Sequence, residues 1–151
     1  MNVNPNMKWT LALFLACLGP LAHADDPLRP SPKQQVELGE RVAKDIRKKE
    51  KVLPDHDPRV KLVRRIGKQV VDASAEKDKP WKFTFDVIES KEINAFALPG
   101  GPAFVYTGLL DNLKTEDELA GILGHETIHV RKQHWAYAYA EGQKRKLGLA
   151  V

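Results

Sequence analysis

Three residues near the end of the chain have types and spacing that could do chemistry. They are His125, Glu126 and His129, in the run Gly121-Ile122-Leu123-Gly124-His125-Glu126-Thr127-Ile128-His129-Val130. On a helix, positions four apart project from one face, so the two imidazoles can take two corners of a tetrahedral zinc site. Glu126, beside the first imidazole, is rotated away from the metal and can hold and deprotonate a water that zinc activates. The competing reading is a helix with two surface histidines, because H-E-x-x-H also arises by chance. The neighbours argue against it. Between Leu119 and Val130 only His125, Glu126, Thr127 and His129 are polar, which predicts a helix buried nearly all round. Ionisable groups in such a helix need partners, and a metal ion is one.

The elements that must position these residues read as follows. Thr115-Glu116-Asp117-Glu118 has the spacing of a capping box and places three acids in a first turn, so the active helix opens there. It is expected to run past Glu141, with Lys144, Arg145 and Lys146 in its last turn. Trp135, Tyr137 and Tyr139 alternate with alanines and read as packing residues on different faces. Upstream, Leu38, Val42 and Ile46 mark a helix over about 33–51. Asp57-Pro58 caps a second helix with the stripe Val63, Ile66 and Val70. Trp81, Phe83, Phe85 and Val87 alternate with polar residues, which predicts a strand with one buried face. Asn94 to Leu98 and Ala103 to Thr107 are two further strands, joined by Pro99-Gly100-Gly101-Pro102. His56 falls in a loop and is not expected to be a ligand.

The chain has 151 residues, a formal charge of +4 and one cysteine. It opens like a secretory signal: Lys8, an apolar run from Trp9 to Leu18, the breaker Gly19-Pro20, then Ala22-His23-Ala24 as a cleavage site. Residues 1–24 are therefore expected to be a signal peptide, with lipid attachment at Cys17 as the alternative. The apolar run is too short for a permanent membrane span. Residues 25–32, with three prolines, read as a flexible tether, and 33–151 as one domain. The remaining cations are interspersed with acids, which argues against a nucleic-acid partner. Loss of Cys17 with the signal would leave no thiol, so a four-ligand structural zinc site is disfavoured.

Three separated stretches carry a more specific likeness. They are Ile93-Asn94-Ala95-Phe96-Ala97-Leu98-Pro99-Gly100-Gly101, Val105-Tyr106-Thr107-Gly108-Leu109-Leu110, and Asp117-Glu118-Leu119-Ala120-Gly121-Ile122-Leu123-Gly124-His125-Glu126. Together they closely resemble peptidase family M48, the zinc metallopeptidases that include the membrane heat-shock protease HtpX, the CAAX prenyl protease and the periplasmic Oma-type or BepA-like proteases. The resemblance spans roughly residues 35–140.

The resemblance implies an α+β, zincin-like fold with N-terminal helices, a small mostly antiparallel sheet and a long active-site helix. It implies one zinc ion per chain on His125 and His129, with Glu126 as general base. It places Asn94, Ala95, Phe96, Ala97, Gly100 and Gly101 beside a cleft that holds an extended peptide or unfolded protein, while the signal-like start of the chain puts that site in the periplasm or outside the cell. An open strand edge suits that role physically, because it offers unpaired N–H and C=O groups to an added strand.

The order of sizes at Thr127 and Ile128 is the reverse of the family's. The family's third zinc ligand is a glutamate on a later helix, and Glu141 is the only acid after His129. On a continuous helix it would lie about 18 Å along the axis at ~1.5 Å per residue, beyond reach of the same ion. The chain thus reads as the N-terminal part of a longer protease domain. A weakly active or inactive relative that binds metal or peptide is the alternative function.

Overall fold

A computed structural model describes residues 26–74 and 80–149. The expected signal peptide, its cleavage site and Cys17 lie outside the described residues. The elements in order are α1 (Pro32–Lys49), α2 (Pro58–Asp72), β1 (Thr84–Ile88), β2 (Ala95–Ala97), β3 (Pro102–Tyr106), α3 (Thr107–Leu110), α4 (Glu116–Arg131) and α5 (His134–Lys146).

Local chemistry accounts for most helix starts. Ser31 and Gln34 form a capping box at α1, with Pro32 at the first helical position. Asp57 caps α2 by accepting from the Arg59 N–H. Thr115 and Glu118 form the expected capping box at α4.

The three strands make one mixed sheet in the order β1-β3-β2. β1 pairs with β3 in parallel, Phe85 opposite Ala103, and β2 pairs with β3 antiparallel, Phe96 opposite Phe104. The α+β class is as expected. The sheet is not mostly antiparallel, however, because β1 skips its sequence neighbour and pairs with the strand after it. Pro102 sits at the first position of the central strand, where its missing N–H costs no internal ladder bond.

Helices cover both faces of the sheet. On one face, Phe85, Val87, Ala103 and Val105 pack with Val60, Val63 and Ile66 of α2 and Leu119 and Leu123 of α4. On the other, Ile88 and Phe104 pack with Ala43 of α1, and Phe96 joins them at a ring distance of 5.4 Å from Phe104. β1 therefore has two buried faces, not the single one that its alternation suggested. Its inward polar residue, Asp86, is held by Arg47 and Arg64 at 2.7 and 3.0 Å. In α1 the buried positions are Gln35, Val36, Gly39 and Ala43, while Leu38, Val42 and Ile46 are only half-buried.

α1 also clamps the β2–β3 turn. A Cβ on Gly39 would lie 1.8 Å from the Pro99 carbonyl oxygen, and one on Gly100 would lie 2.4 Å from Val36 Cα. Gly100 has φ +85°, a left-handed conformation that favours glycine. Residues 26–31, read as a tether, are tied to the fold. Asp26 pairs with Lys144 of α5 at 2.6 Å, and the Pro30 carbonyl accepts from Gln35.

The expected single helix past Glu141 is two helices. α4 ends at Arg131, and Gln133 takes φ 55°, ψ 34° before α5 starts at His134. A left-handed conformation at a non-glycine residue costs roughly 1–2 kcal/mol and needs support from its surroundings. The buried Gln35 provides it, its Nε2 donating to Gln133 Oε1 at 2.9 Å. Among the described residues no helix is long and apolar enough to cross a membrane.

Candidate active site

α4 is not buried all round. It turns Leu119, Leu123, Thr127 and Val130 inward, leaves His125 exposed and holds Glu126 and His129 half-buried at a cleft. The ionisable residues thus avoid full desolvation by facing an opening, and their need for a partner is weaker than the sequence suggested.

One turn of helix brings the two imidazoles together. His125 Nε2 and His129 Nε2 are 2.9 Å apart, with the rings at 77°. Zinc binds imidazole nitrogen at about 2.0–2.1 Å, so two such nitrogens at a tetrahedral angle stand about 3.3 Å apart. The pair therefore fits half of a tetrahedral zinc site after an adjustment of a few tenths of an ångström. Among the described residues no group of three histidine, cysteine or acidic side chains is placed to hold one ion. Glu141 is exposed on α5 and does not complete the site.

Glu126 points from α4 towards the sheet. Its Oε2 accepts from the Ala97 backbone N–H at 3.2 Å. That N–H faces outward for a reason of register. The Tyr106 N–H donates to the Asn94 carbonyl and the Leu98 N–H to the Pro102 carbonyl, so the even-numbered residues of this segment bond β3. In an antiparallel pair the alternate residues then direct their backbone groups away from the partner strand. β2 is an edge strand whose outward side faces α4. Alanines at 95 and 97 put small side chains on the α4 side.

A cleft of about 260 Å³ joins these parts, lined by Phe96, Ala97, Glu126, His129, His134 and Trp135 among others. Of the residues expected beside a substrate, Phe96 and Ala97 line it. Asn94 and Ala95 lie on the same short segment but outside that lining. Gly100 and Gly101 are buried in the turn, against Val36 and Lys82 respectively, and shape the hairpin from beneath. A larger hollow of about 620 Å³ lies by β1, between Arg47, Leu53, Arg64 and Phe83, and holds none of the candidate residues.

Sequence reasoning missed three contributors, Gln35, Gln133 and Trp135 as a cleft residue, and gave a fourth, His134, no role although it matches a common position of the resembled family. Gln35 and Gln133 fix the break after α4. His134 meets His129, Nδ1 to Nδ1, at 2.7 Å. Trp135 lines the cleft and stacks on Tyr139 at 5.2 Å, one turn away, so these two share a face and remain over a third exposed. The spacing of four between Trp135 and Tyr139 was the available signal. Nothing local marked Gln133.

Residues 58–149, from the start of α2 through α5, match peptidase family M48. The chain belongs to that family. Among M48 relatives, the mitochondrial metalloendopeptidase OMA1 of Schizosaccharomyces pombe is 39% identical over 87 residues, covering 58% of this chain and 25% of its own length. A putative beta-barrel assembly-enhancing protease of Vibrio cholerae is 30% identical over 113 residues, 74% of this chain and 22% of the relative. The beta-barrel assembly-enhancing protease of Escherichia coli is 28% identical over 112 residues, with the same two shares. The chain thus spans about a quarter or less of the length of these M48 relatives.

Proposed function

We propose that the chain carries the catalytic motif of a zinc-dependent metalloendopeptidase that cuts extended or unfolded protein segments. The observation that supports this best is the contact between Glu126 and the Ala97 N–H, because it joins a candidate base to an open strand edge. Membership of M48 supplies the reaction class.

The roles follow from position. His125 and His129 would hold zinc through Nε2, and the bound ion would supply Lewis acidity for the scissile carbonyl and for a water near pH 7. Glu126 takes a proton from the attacking water and returns it to the leaving amine. The outward side of β2 pairs with the substrate main chain, so sequence matters less than an extended shape. Two relatives are named for β-barrel assembly, and an unpaired strand is the kind of segment that such an edge accepts. Residues 1–24 act as an export signal, which puts the protein in the periplasm or outside the cell, and 33–151 belong to the peptidase domain.

A second reading has its own support. The same cleft and strand edge also suit a protein that binds metal or peptide with little catalysis.

The test measures metal content by mass spectrometry beside cleavage of a casein-like unfolded substrate. His125→Ala and His129→Ala should lose zinc and activity together. Glu126→Gln should keep zinc and lose turnover by about 10²-fold or more, since it keeps size and removes the base. Full activity in Glu126→Gln rejects the mechanism. Zinc binding with no cleavage by the full-length protein selects the second reading.

A further inference from the structure

His134 sits five residues after His129 and is exposed, with no place in the roles given above. On an unbroken helix five residues advance about 140° beyond a full turn at ~3.6 residues per turn, which would point it away from His129. The left-handed link at Gln133, held by Gln35, ends α4 and restarts the chain so that the first residue of α5 faces back. The result is the 2.7 Å contact between His134 Nδ1 and His129 Nδ1, with the rings at 79°.

The two nitrogens of His129 are thus used at opposite ends of one ring. Nε2 faces His125 Nε2, and Nδ1 faces His134. An imidazole that offers Nε2 to a metal in its neutral form must carry its proton on Nδ1. That proton needs an acceptor, and such acceptors orient metal-bound histidines and raise their basicity. We infer that His134 is a positioning residue for His129: its Nδ1 accepts the His129 Nδ1 proton and so fixes the tautomer and ring angle that aim His129 Nε2 at the metal. His134 then carries its own proton on Nε2. It cannot itself be the third ligand in this arrangement, because its Nδ1 approaches His129 from the end of the ring remote from His125. The inference rests on the metal reading above, and its test has one arm that needs no metal.

The proteins are the wild type, His134→Ala and His134→Asn, whose side-chain oxygen can stand in for the Nδ1 acceptor. Long-range proton–nitrogen NMR of the metal-free proteins, at a pH where the imidazoles are neutral, reads the His129 tautomer. Competition with a chromogenic chelator reads the dissociation constant for zinc alone, and thermal melts check folding. The wild type should carry the His129 proton on Nδ1. His134→Ala should lose that preference and bind zinc about 10- to 100-fold more weakly, with an unchanged melt. His134→Asn should restore most of both.

A His129 proton on Nε2 in the wild type overturns the inference. So does equal zinc affinity in all three proteins. Complete loss of zinc in both variants makes His134 a ligand and overturns it as well. If wild type binds no zinc yet shows the His134-dependent tautomer, the hydrogen bond is upheld and the metal reading falls instead.

Discussion

Asp86 shows how much one side chain can depend on what covers it. In β1 it occupies the position of an outward polar residue, yet α1 lies over that face and its side chain is buried. It accepts from Arg47 Nε at 2.8 Å and from Arg64 Nη2 at 3.0 Å, and Arg64 also caps the Phe85 carbonyl at the free edge of β1. Both arginines keep partial solvent contact, so removing the acid strands them less than in a closed core. Asp86→Asn is expected to cost roughly 1.5–3 kcal/mol, the range for hydrogen bonds to charged groups, in urea unfolding. The residue lines the hollow by β1, which holds none of the candidate site residues, so zinc affinity should not change. The same logic separates the site residues. His125, Glu126 and His129 were legible because their relation is local to one helix. The partner of Glu126 was not, since the outward direction of the Ala97 N–H depends on the β2–β3 register.

Elements fix that geometry through close approaches. Gly39 of α1 lies against the Pro99 carbonyl, and Pro99 lines the cleft directly after β2. A methyl group at position 39 would lie 1.8 Å from that oxygen, so α1 and the turn must part. Gly39→Ala is therefore expected to destabilise by about 1–3 kcal/mol, the usual cost of overpacking. It should also raise KM more than it lowers kcat, because β2 moves and the helix carrying Glu126 does not. Denaturant unfolding beside peptide kinetics checks both, and an unchanged KM would detach the turn from binding. Helix starts were readable in advance: Asp57-Pro58 and Thr115 with Glu118 are short-range devices. The end of α4 was not readable. Its left-handed residue is a glutamine, and the group that supports it, Gln35, is 98 residues away. The parallel pairing of β1 with β3 escaped for a related reason, as it skips the hairpin strand between them.

Across the whole molecule, ion pairs in contact with solvent set the response to acid, and two of them, Asp26 with Lys144 and Arg65 with Glu116, tie distant segments together. Lys144 holds the Asp26 carboxyl below its ordinary value of 3.8, Arg59 does the same for Asp57, and Arg65 lowers Glu116 from 4.5. A carboxylate with a depressed folded value stabilises fully above the unfolded value and loses that contribution as pH falls through the folded one. The thermal midpoint should therefore stay level from these groups at neutral pH and decline below about pH 4.5, less steeply at high salt. A midpoint level down to pH 2 would show that these pairs contribute nothing. The meeting of Glu126 with the outward N–H of Ala97 has a further consequence, for observation. A backbone amide on an open strand edge ordinarily exchanges its hydrogen with water rapidly, whereas this one is closed by a single carboxylate. Its exchange rate and its nitrogen resonance then act as a native label for where that carboxylate is, readable in solution with no ion and no peptide added.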